Sequence, residues 1–206
     1  MVVNSLTAFN RRRQTTNGEQ MKTVGIVVST LLAELILMII FVSLGLYNVS
    51  TMSPDPGFLR WIFSHTSDNS AKHYSAGIAI PSLTDSTMII KGYQRYHELC
   101  QTCHSGPGLT PTPVERGLYP HPPDLMRSAK HMGANRLFWV AKNGIKSTGM
   151  PGFGWTHSDK QIWSIVAFLE KMKNMTPQEY AAMGQLQAKA KNVDMKMSGR
   201  KNERRR

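Results

Sequence analysis

The sequence predicts an all-α protein in which one small helical domain is tethered by a single N-terminal transmembrane helix. One long apolar run, residues 24–46, stands out in a chain whose mean hydropathy is only −0.30. Beyond this run, apolar residues recur at the three- and four-residue spacings typical of helices, and no stretch alternates as a strand does. A chain of 206 residues has room for one modest domain plus extensions, which excludes a large multidomain enzyme.

The apolar run is long enough to cross a bilayer. Its 23 residues would form a helix of roughly 35 Å, against a hydrocarbon core of about 30 Å. A secretory signal peptide is the alternative, because Met21 and Lys22 resemble a translation start, but the apolar region of a signal peptide is usually about 7–15 residues long. We therefore predict a retained anchor over residues 23–47. Within it, Glu34 is either a neutral carboxyl tolerated in the helix or a contact with another membrane subunit.

The distribution of basic residues predicts the orientation of this anchor. Four basic residues precede it: Arg11, Arg12, Arg13 and Lys22. The first basic residue after it is Arg60. The positive-inside rule then keeps the N-terminal segment, residues 1–22, in the cytoplasm. We expect the rest of the chain to face the periplasm from a cytoplasmic (inner) membrane, in an oxidising compartment.

Residues 48–84 are rich in proline, glycine and serine, and we interpret them as a periplasmic tether. The aromatic run at residues 58–63 either lies in the membrane interface or packs on the domain that follows. The composition favours helices over residues 85–183, which we predict to be the folded domain. Residues 184–206 form a basic tail.

Four helices are predicted in the folded domain: about residues 86–103, about residues 134–143, residues 158–172 and a short helix from Thr176. Gly144 is a natural residue to end the second helix. Ser158 caps the third, with an acidic residue in its first turn. The fourth begins with T-P-Q-E, a capping box with proline at the first helical position.

The chemical signal of the chain is a C-x-x-C-H pentapeptide, formed by Cys100, Cys103 and His104. This pattern is the attachment sequence of c-type haem. Two thiols at this spacing on a helix end project to one side, so each can form a thioether with a haem vinyl group while the imidazole reaches the iron. A dithiol redox pair or half of a metal site are the alternatives. However, no second half-site exists, and a thioredoxin-like pair would follow a strand.

A haem iron that transfers electrons needs a second axial ligand, which in cytochromes c is a methionine. Thirteen methionines are present, and most occupy positions typical of packing, such as Met38 in the anchor. Met150 differs, because it lies in T-G-M-P-G-F-G, where glycines and a proline let the backbone fold closely over a flat ligand. We therefore predict one covalently bound haem c, held by Cys100, Cys103, His104 and Met150, with His104 and Met150 as the metal ligands.

Six short motifs follow one another in the folded domain: G-x-x-x-Y at 92–96, C-x-x-C-H at 100–104, P-P-D-L at 122–125, N-G-I at 143–145, G-M-P-G-F at 149–153 and I-V-A-F-L at 165–169. This order resembles class I cytochromes c, in particular the single-haem, membrane-anchored kind. The resemblance covers about residues 91–182. It implies that the first and last helices cross in contact, with Gly92 and Tyr96 meeting Ile165 and Phe168.

The same resemblance implies that a proline carbonyl accepts a hydrogen bond from the second nitrogen of His104. Five prolines are candidates for this role: Pro107, Pro111, Pro113, Pro122 and Pro123. Residues 108–123 differ most from a compact small cytochrome, and we expect them to cover one haem edge.

If His104 and Met150 fill both axial positions of the haem iron, the site is suited to electron transfer and not to a reaction on a substrate. We predict an electron-transfer protein and not an enzyme, passing single electrons from quinol-oxidising level to a terminal oxidase or reductase. The alternative is a permanently bound haem c subunit of a larger membrane oxidoreductase. A third class, an enzyme or gas sensor, would require an open iron site in which Met150 is no ligand.

Charge indicates the partners. The formal net charge is +12, and Lys142 and Lys146 flank the methionine motif. A basic rim would steer docking on an acidic redox partner, although an ordinary solvated lysine surface explains the same residues. The basic tail is either a solvated extension or a contact with anionic lipid or an acidic subunit. Nucleic-acid binding is disfavoured by export.

Overall fold

The computed structural model describes the backbone of residues 2–187 and the side chains of residues 19–187. All regular secondary structure in this part is helical, with no strand, so the predicted all-α class is confirmed. The chain divides into two compact units, one ending at Ser50 and the other beginning at Thr51. Most of the predicted basic tail lies outside the described residues.

The first unit contains one long helix, α1 (Val2–Ser43). Its part Glu19–Ser43 is long and apolar enough to cross a membrane, and none of its most apolar window is buried inside the protein. The helix ends at Ser43 and Gly45 takes the left-handed φ of +64°, so the helix stops four residues before the predicted end of the anchor. The arginines at 11–13, on which the predicted orientation depends, lie outside the described side chains.

The described part of the second unit holds the remaining helices: α2 (Gly57–Ser75), α3 (Ser86–Arg95), α4 (Gln101–His104), α5 (Pro113–Gly117), α6 (Leu125–His131), α7 (Ala134–Asn143), α8 (Asp159–Met172) and α9 (177–187). A π-helical turn, Tyr96–Cys100, joins α3 to α4, so the predicted helix over 86–103 is interrupted. A 3-10 turn, Phe153–Trp155, precedes α8.

Helices α3 and α8 cross in close contact at Gly92. A β carbon at this position would lie 1.9 Å from the carbonyl oxygen of Ser164 and 2.9 Å from the β carbon of Phe168. Any residue larger than glycine would therefore force the helices apart. One turn later, the rings of Tyr96 and Phe168 are 5.2 Å apart. The expected crossing is present, although the backbone nearest to Gly92 is that of Ser164 and not Ile165.

The core lies between this helix pair and α7. Ile162, Val166 and Phe168 of α8 are completely buried, and the rings of Phe138 and Trp163 stack 4.2 Å apart. Ser158 caps α8, as the sequence predicts, and the structure adds a capping box with Gln161. This cap satisfies backbone N–H groups that would otherwise lack partners at the helix start.

The segment predicted as a tether contains a docked helix. Its residues 57–75 form α2, which packs on α7 through the buried Ala71 and Ser75. The Asn135 amide donates to the Ser75 carbonyl at 2.9 Å, and the rings of Tyr74 and Trp139 stack 6.0 Å apart. Because α2 has no regular apolar stripe, its helical state depends on these tertiary contacts, which sequence periodicity does not reveal.

Candidate functional site

The three functional side chains of the C-x-x-C-H motif lie within about one helical turn of each other. Cys100 ends the π-helical turn, and Cys103 and His104 belong to α4. We refer to residues 96–105 as the cysteine–histidine segment. Cys100 is buried, Cys103 is half-buried, and no disulfide joins them. The chain leaves this segment at Ser105, whose φ of +49° and ψ of −139° break the helix. This conformation is uncommon for a residue with a β carbon, so its surroundings must hold it in place.

Hydrogen bonds from three side chains hold the exit of this segment. The buried Tyr96 hydroxyl donates to the Ser105 carbonyl at 2.8 Å. The Ser105 hydroxyl donates to the carboxylate of Glu115 on α5. The Thr112 hydroxyl donates to the Thr102 carbonyl at 2.6 Å. Thr112 and Glu115 thus fasten α5 to the cysteine–histidine segment.

His104 is oriented by one of the five candidate prolines. Its Nδ1 lies 2.9 Å from the carbonyl oxygen of Pro123. A carbonyl can only accept, so Nδ1 carries the hydrogen and the lone pair of Nε2 is left for a metal. Burial lowers the pKa of His104, opposed by the bond to Pro123 and the charge of Glu115. A lowered pKa favours the neutral imidazole, which is the form that binds metals.

Met150 lies on a separate loop, residues 144–154, which we call the methionine loop. The backbone N–H of Met150 donates to the Thr148 hydroxyl at 3.1 Å, and its carbonyl accepts from the N–H of Ile145 at 3.2 Å. The Thr148 hydroxyl in turn donates to the Ile145 carbonyl at 2.8 Å. These bonds close the loop on itself and fix the backbone from which the thioether projects.

Glycines allow the methionine loop to lie against the end of α7. Gly144 has a φ of +68°, and a β carbon there would lie 2.6 Å from Gly152 N and 2.7 Å from Met150 O. A β carbon at Gly152 would lie 2.7 Å from the Asn143 carbonyl oxygen. One at Gly149 would lie 2.6 Å from a methyl group of Leu118. Leu118 follows α5, so the chain that fastens the cysteine–histidine segment also touches the methionine loop.

Helix α9 covers the cysteine–histidine segment from another side. The buried Tyr180 donates its hydroxyl to the Gln101 side-chain oxygen at 2.8 Å. A β carbon at Gly106 would lie 2.7 Å from the Tyr180 ring, and one at Gly108 would lie 2.6 Å from Pro177. The helix begins at the predicted capping box, where the Thr176 hydroxyl accepts from Glu179 N and Glu179 accepts from Thr176 N.

The structure therefore brings Cys100, Cys103 and His104 together and places Met150 on a loop that touches the same surrounding chain. Sequence reasoning missed the supporting residues Ser105 and Glu115. The sequence does contain a signal for Glu115, because T-P-V-E at 112–115 has the same capping-box pattern as T-P-Q-E at 176–179. The positive φ of Ser105 could not be predicted, because serine has a β carbon and residues with a β carbon rarely adopt such an angle.

The donor set fits a haem better than the alternatives. Burial raises the pKa of the Cys100 thiol to about 12, whereas a reactive dithiol pair requires a lowered thiol pKa. Among the described residues, no group of three or more His, Cys, Asp or Glu side chains could hold a metal ion. Two thiols, an imidazole with Nε2 available and a thioether are the groups that a covalently attached haem uses.

The surface around the methionine loop carries less free charge than the sequence suggests. Lys142 is paired with Asp159 at 2.7 Å and lies 5.6 Å from the centre of the Phe138 ring. Lys146 is exposed. Trp155, at the end of the 3-10 turn, is 97% exposed. The rim is thus a mixture of one exposed lysine, one ion pair and a large aromatic side chain.

Comparison with known proteins identifies the domain. The family described as "Cytochrome C oxidase, cbb3-type, subunit III" matches residues 88–169. No curated protein matches the chain with significant similarity. The matched residues run from the first turn of α3 through both the cysteine–histidine segment and the methionine loop to α8. Residues 88–169 are therefore a c-type cytochrome haem domain, which implies covalently bound haem c, and one N-terminal apolar helix of membrane-spanning length precedes this domain.

Proposed function

We propose that this protein is a one-electron carrier on the periplasmic face of a respiratory membrane, with His104 and Met150 as the axial ligands of its haem. Haem-based electron transfer follows from the cytochrome c domain. The carrier role, the ligand pair and the periplasmic face are proposals.

The hydrogen bond between His104 Nδ1 and the Pro123 carbonyl carries the proposal. It gives the imidazole one tautomer and one ring orientation before any metal is bound, which suits a permanent axial ligand. Bound haem c would supply a one-electron Fe(III)/Fe(II) couple, and thioether ligation raises the potential of that couple. Cys100 and Cys103 would hold the porphyrin covalently from the same helical turn.

A rigid surrounding also suits a carrier. Tyr96, Glu115 and Thr112 hold the cysteine–histidine segment, and the hydrogen bonds of Thr148 hold the methionine loop. Ligands on fixed backbone move little when charge changes, so little energy is needed to reorganise the site. The same filling of both axial positions would exclude small molecules from the iron, which separates a carrier from a gas sensor or oxidase centre.

Substitution of the thioether tests the ligand assignment. In the purified full-length holoprotein, Met150→Ala should remove the charge-transfer band of thioether-ligated ferric iron and allow added cyanide or imidazole to bind rapidly. Met126→Ala is the matched control, because Met126 is half-buried but lies in α6. It should leave the spectrum unchanged. An unchanged spectrum in Met150→Ala would refute the assignment.

A second candidate is a haem c subunit fixed in a larger membrane oxidoreductase. The family description, which names an oxidase subunit, favours it. So does Glu34, a carboxyl in the middle of the membrane-spanning helix, which a neighbouring subunit would satisfy. Purification in mild detergent separates the candidates. Migration as a lone haem protein supports the carrier, and stable comigration with a larger complex supports the subunit.

A further inference from the structure

Exposed large apolar side chains are concentrated in the stretch that follows the membrane-spanning helix. The start of α2, residues 57–63, carries three of them within seven positions: Phe58, Trp61 and Phe63. The 103 described residues from 85 to 187 carry five: Ile90, Leu109, Val114, Trp155 and Leu186. Scattered exposed apolar residues are normal on a protein surface, whereas a concentrated set marks a surface that contacts something.

The two halves of α2 differ in their surroundings. Its second half is docked on α7, with Ala71 and Ser75 buried and an ion pair between Asp68 and Arg136. In the first half, Phe58 is 69% exposed and Trp61 is 56% exposed. The Trp61 ring contacts His65 of the same helix, with ring centres 4.8 Å apart. Packing on the haem domain therefore explains the second half of α2 and leaves the aromatic first half unexplained.

Chain length and side-chain chemistry indicate that lipid contacts the exposed aromatic side chains in the first half of α2, which are Phe58, Trp61 and Phe63. Residues 44–56, which connect α1 to α2, can span at most roughly 45 Å when fully extended. Tryptophan and other aromatic side chains are favoured at the boundary between the hydrocarbon core and water. The exposed apolar character of the membrane-spanning helix thus continues, after a short connection, into the start of α2.

We propose that the first half of α2, residues 57–66, lies in the interfacial region of the bilayer that α1 crosses, with Phe58, Trp61 and Phe63 in contact with lipid. This inference rests on the membrane anchoring in the proposed function and is independent of the iron ligands. Because the second half of the same helix packs on α7, such a contact restricts the rotation of the haem domain at the membrane surface. The domain would then present a preferred face to its partners.

A photoactivatable lipid tests the contact directly. The full-length holoprotein is reconstituted into phosphatidylcholine vesicles that contain a phospholipid with a diazirine in its acyl chain, irradiated, digested and mapped by mass spectrometry. Lipid adducts should appear on peptides within 24–42 and on peptides covering 57–66. The peptide with Trp155 is the internal control, because this aromatic side chain is 97% exposed but lies at the end of the 3-10 turn, far along the chain from α1 and α2. We expect several-fold less labelling there.

The outcomes separate this inference from the anchoring on which it rests. Adducts on residues 24–42 without adducts on 57–66 would overturn the inference and leave the anchor intact. Loss or absence of labelling on 24–42 would overturn the anchor and the inference together. Adducts between residues 57–66 of two protein copies, in place of lipid adducts, would assign the surface to dimerisation and would also overturn it.

A variant provides a second measurement. Replacing all three aromatic residues (Phe58→Gln, Trp61→Gln and Phe63→Gln) should abolish lipid adducts on 57–66 and leave those on 24–42 unchanged. Each of these side chains is more than half exposed, so the haem spectrum should match that of the unaltered protein. Trp155→Gln is the matched control and should leave all lipid adducts as they are. Undiminished labelling of 57–66 in the triple variant would contradict the proposal.

Discussion

The cysteine–histidine segment and the methionine loop hold their ligands in different ways. The segment is held by side-chain hydrogen bonds, one within it from Tyr96 to Ser105 and two that join it to Glu115 and Thr112. The loop is shaped mainly by close backbone contacts that only glycines permit, at Gly144 and Gly152. The first arrangement should weaken gradually as single hydrogen bonds are removed. The second should fail abruptly when a single β carbon is added.

Gly144→Ala is expected to have the largest effect. The new methyl group would meet backbone atoms of Met150, Pro151 and Gly152 at 2.6–2.7 Å, at a φ that residues with a β carbon rarely adopt. Backbone strain and overpacking together should lower the free energy of unfolding by about 2–5 kcal/mol. Denaturant unfolding measures the loss, and the visible spectrum should show weakened methionine ligation.

The control for this substitution is Gly117→Ala at the end of α5. A β carbon at Gly117 has no atom within 4 Å. Its free energy of unfolding should therefore change by no more than about 0.5 kcal/mol. Equal effects of the two substitutions would show that the methionine loop is not shaped by its glycine contacts.

Tyr96→Phe should have an intermediate effect. The change removes only the hydroxyl that donates to the Ser105 carbonyl, and Tyr96 is completely buried. A buried carbonyl without its donor should cost about 1–3 kcal/mol in the free energy of unfolding. Tyr74→Phe, at a 64% exposed ring stacked on Trp139, is the control and should change stability little. A loss of methionine ligation in Tyr96→Phe would show that the two regions are not independent.

Glu179→Gln should have the smallest effect, visible only through its pH dependence. Hydrogen bonds from the Thr176 backbone N–H and hydroxyl lower the pKa of Glu179 below its ordinary value of 4.5. A lowered pKa contributes stability above the unfolded-state pKa, and this contribution disappears as pH falls through the folded-state value. The stabilities of the variant and the parent protein should therefore converge in acid. A constant difference down to strongly acid pH would contradict this explanation.

Local signals in the sequence predicted much of the fold. The caps at Ser158 and Thr176 and the end of α7 at Gly144 were predicted from side-chain chemistry and backbone preference within a few residues. The helix α2 was not predicted, because its contacts with α7 join residues about 60 positions apart. The π-helical turn at Tyr96–Cys100 was missed as well, since its residues are compatible with an ordinary helix.

The candidate site likewise contains features that local sequence predicts and features that depend on distant parts of the chain. The spacing of Cys100, Cys103 and His104 is a local property, so their joint presentation could be predicted from the pentapeptide. The choice of Pro123 among five prolines could not, because it depends on where the chain returns after α5. The pairing of Lys142 with Asp159 likewise converts a residue of the predicted basic rim into half of an ion pair.

By itself the sequence determined the helical class, the apolar span and the identity of the groups that a covalent haem requires, because each depends on residue type and on spacing within one or two helical turns. Tertiary structure alone decided which carbonyl orients His104, which polar side chains support the strained Ser105 and which half of α2 is left exposed. These features depend on distances between segments far apart in the chain, and the hydrogen bonds and close contacts that set those distances exist only when the chain is folded.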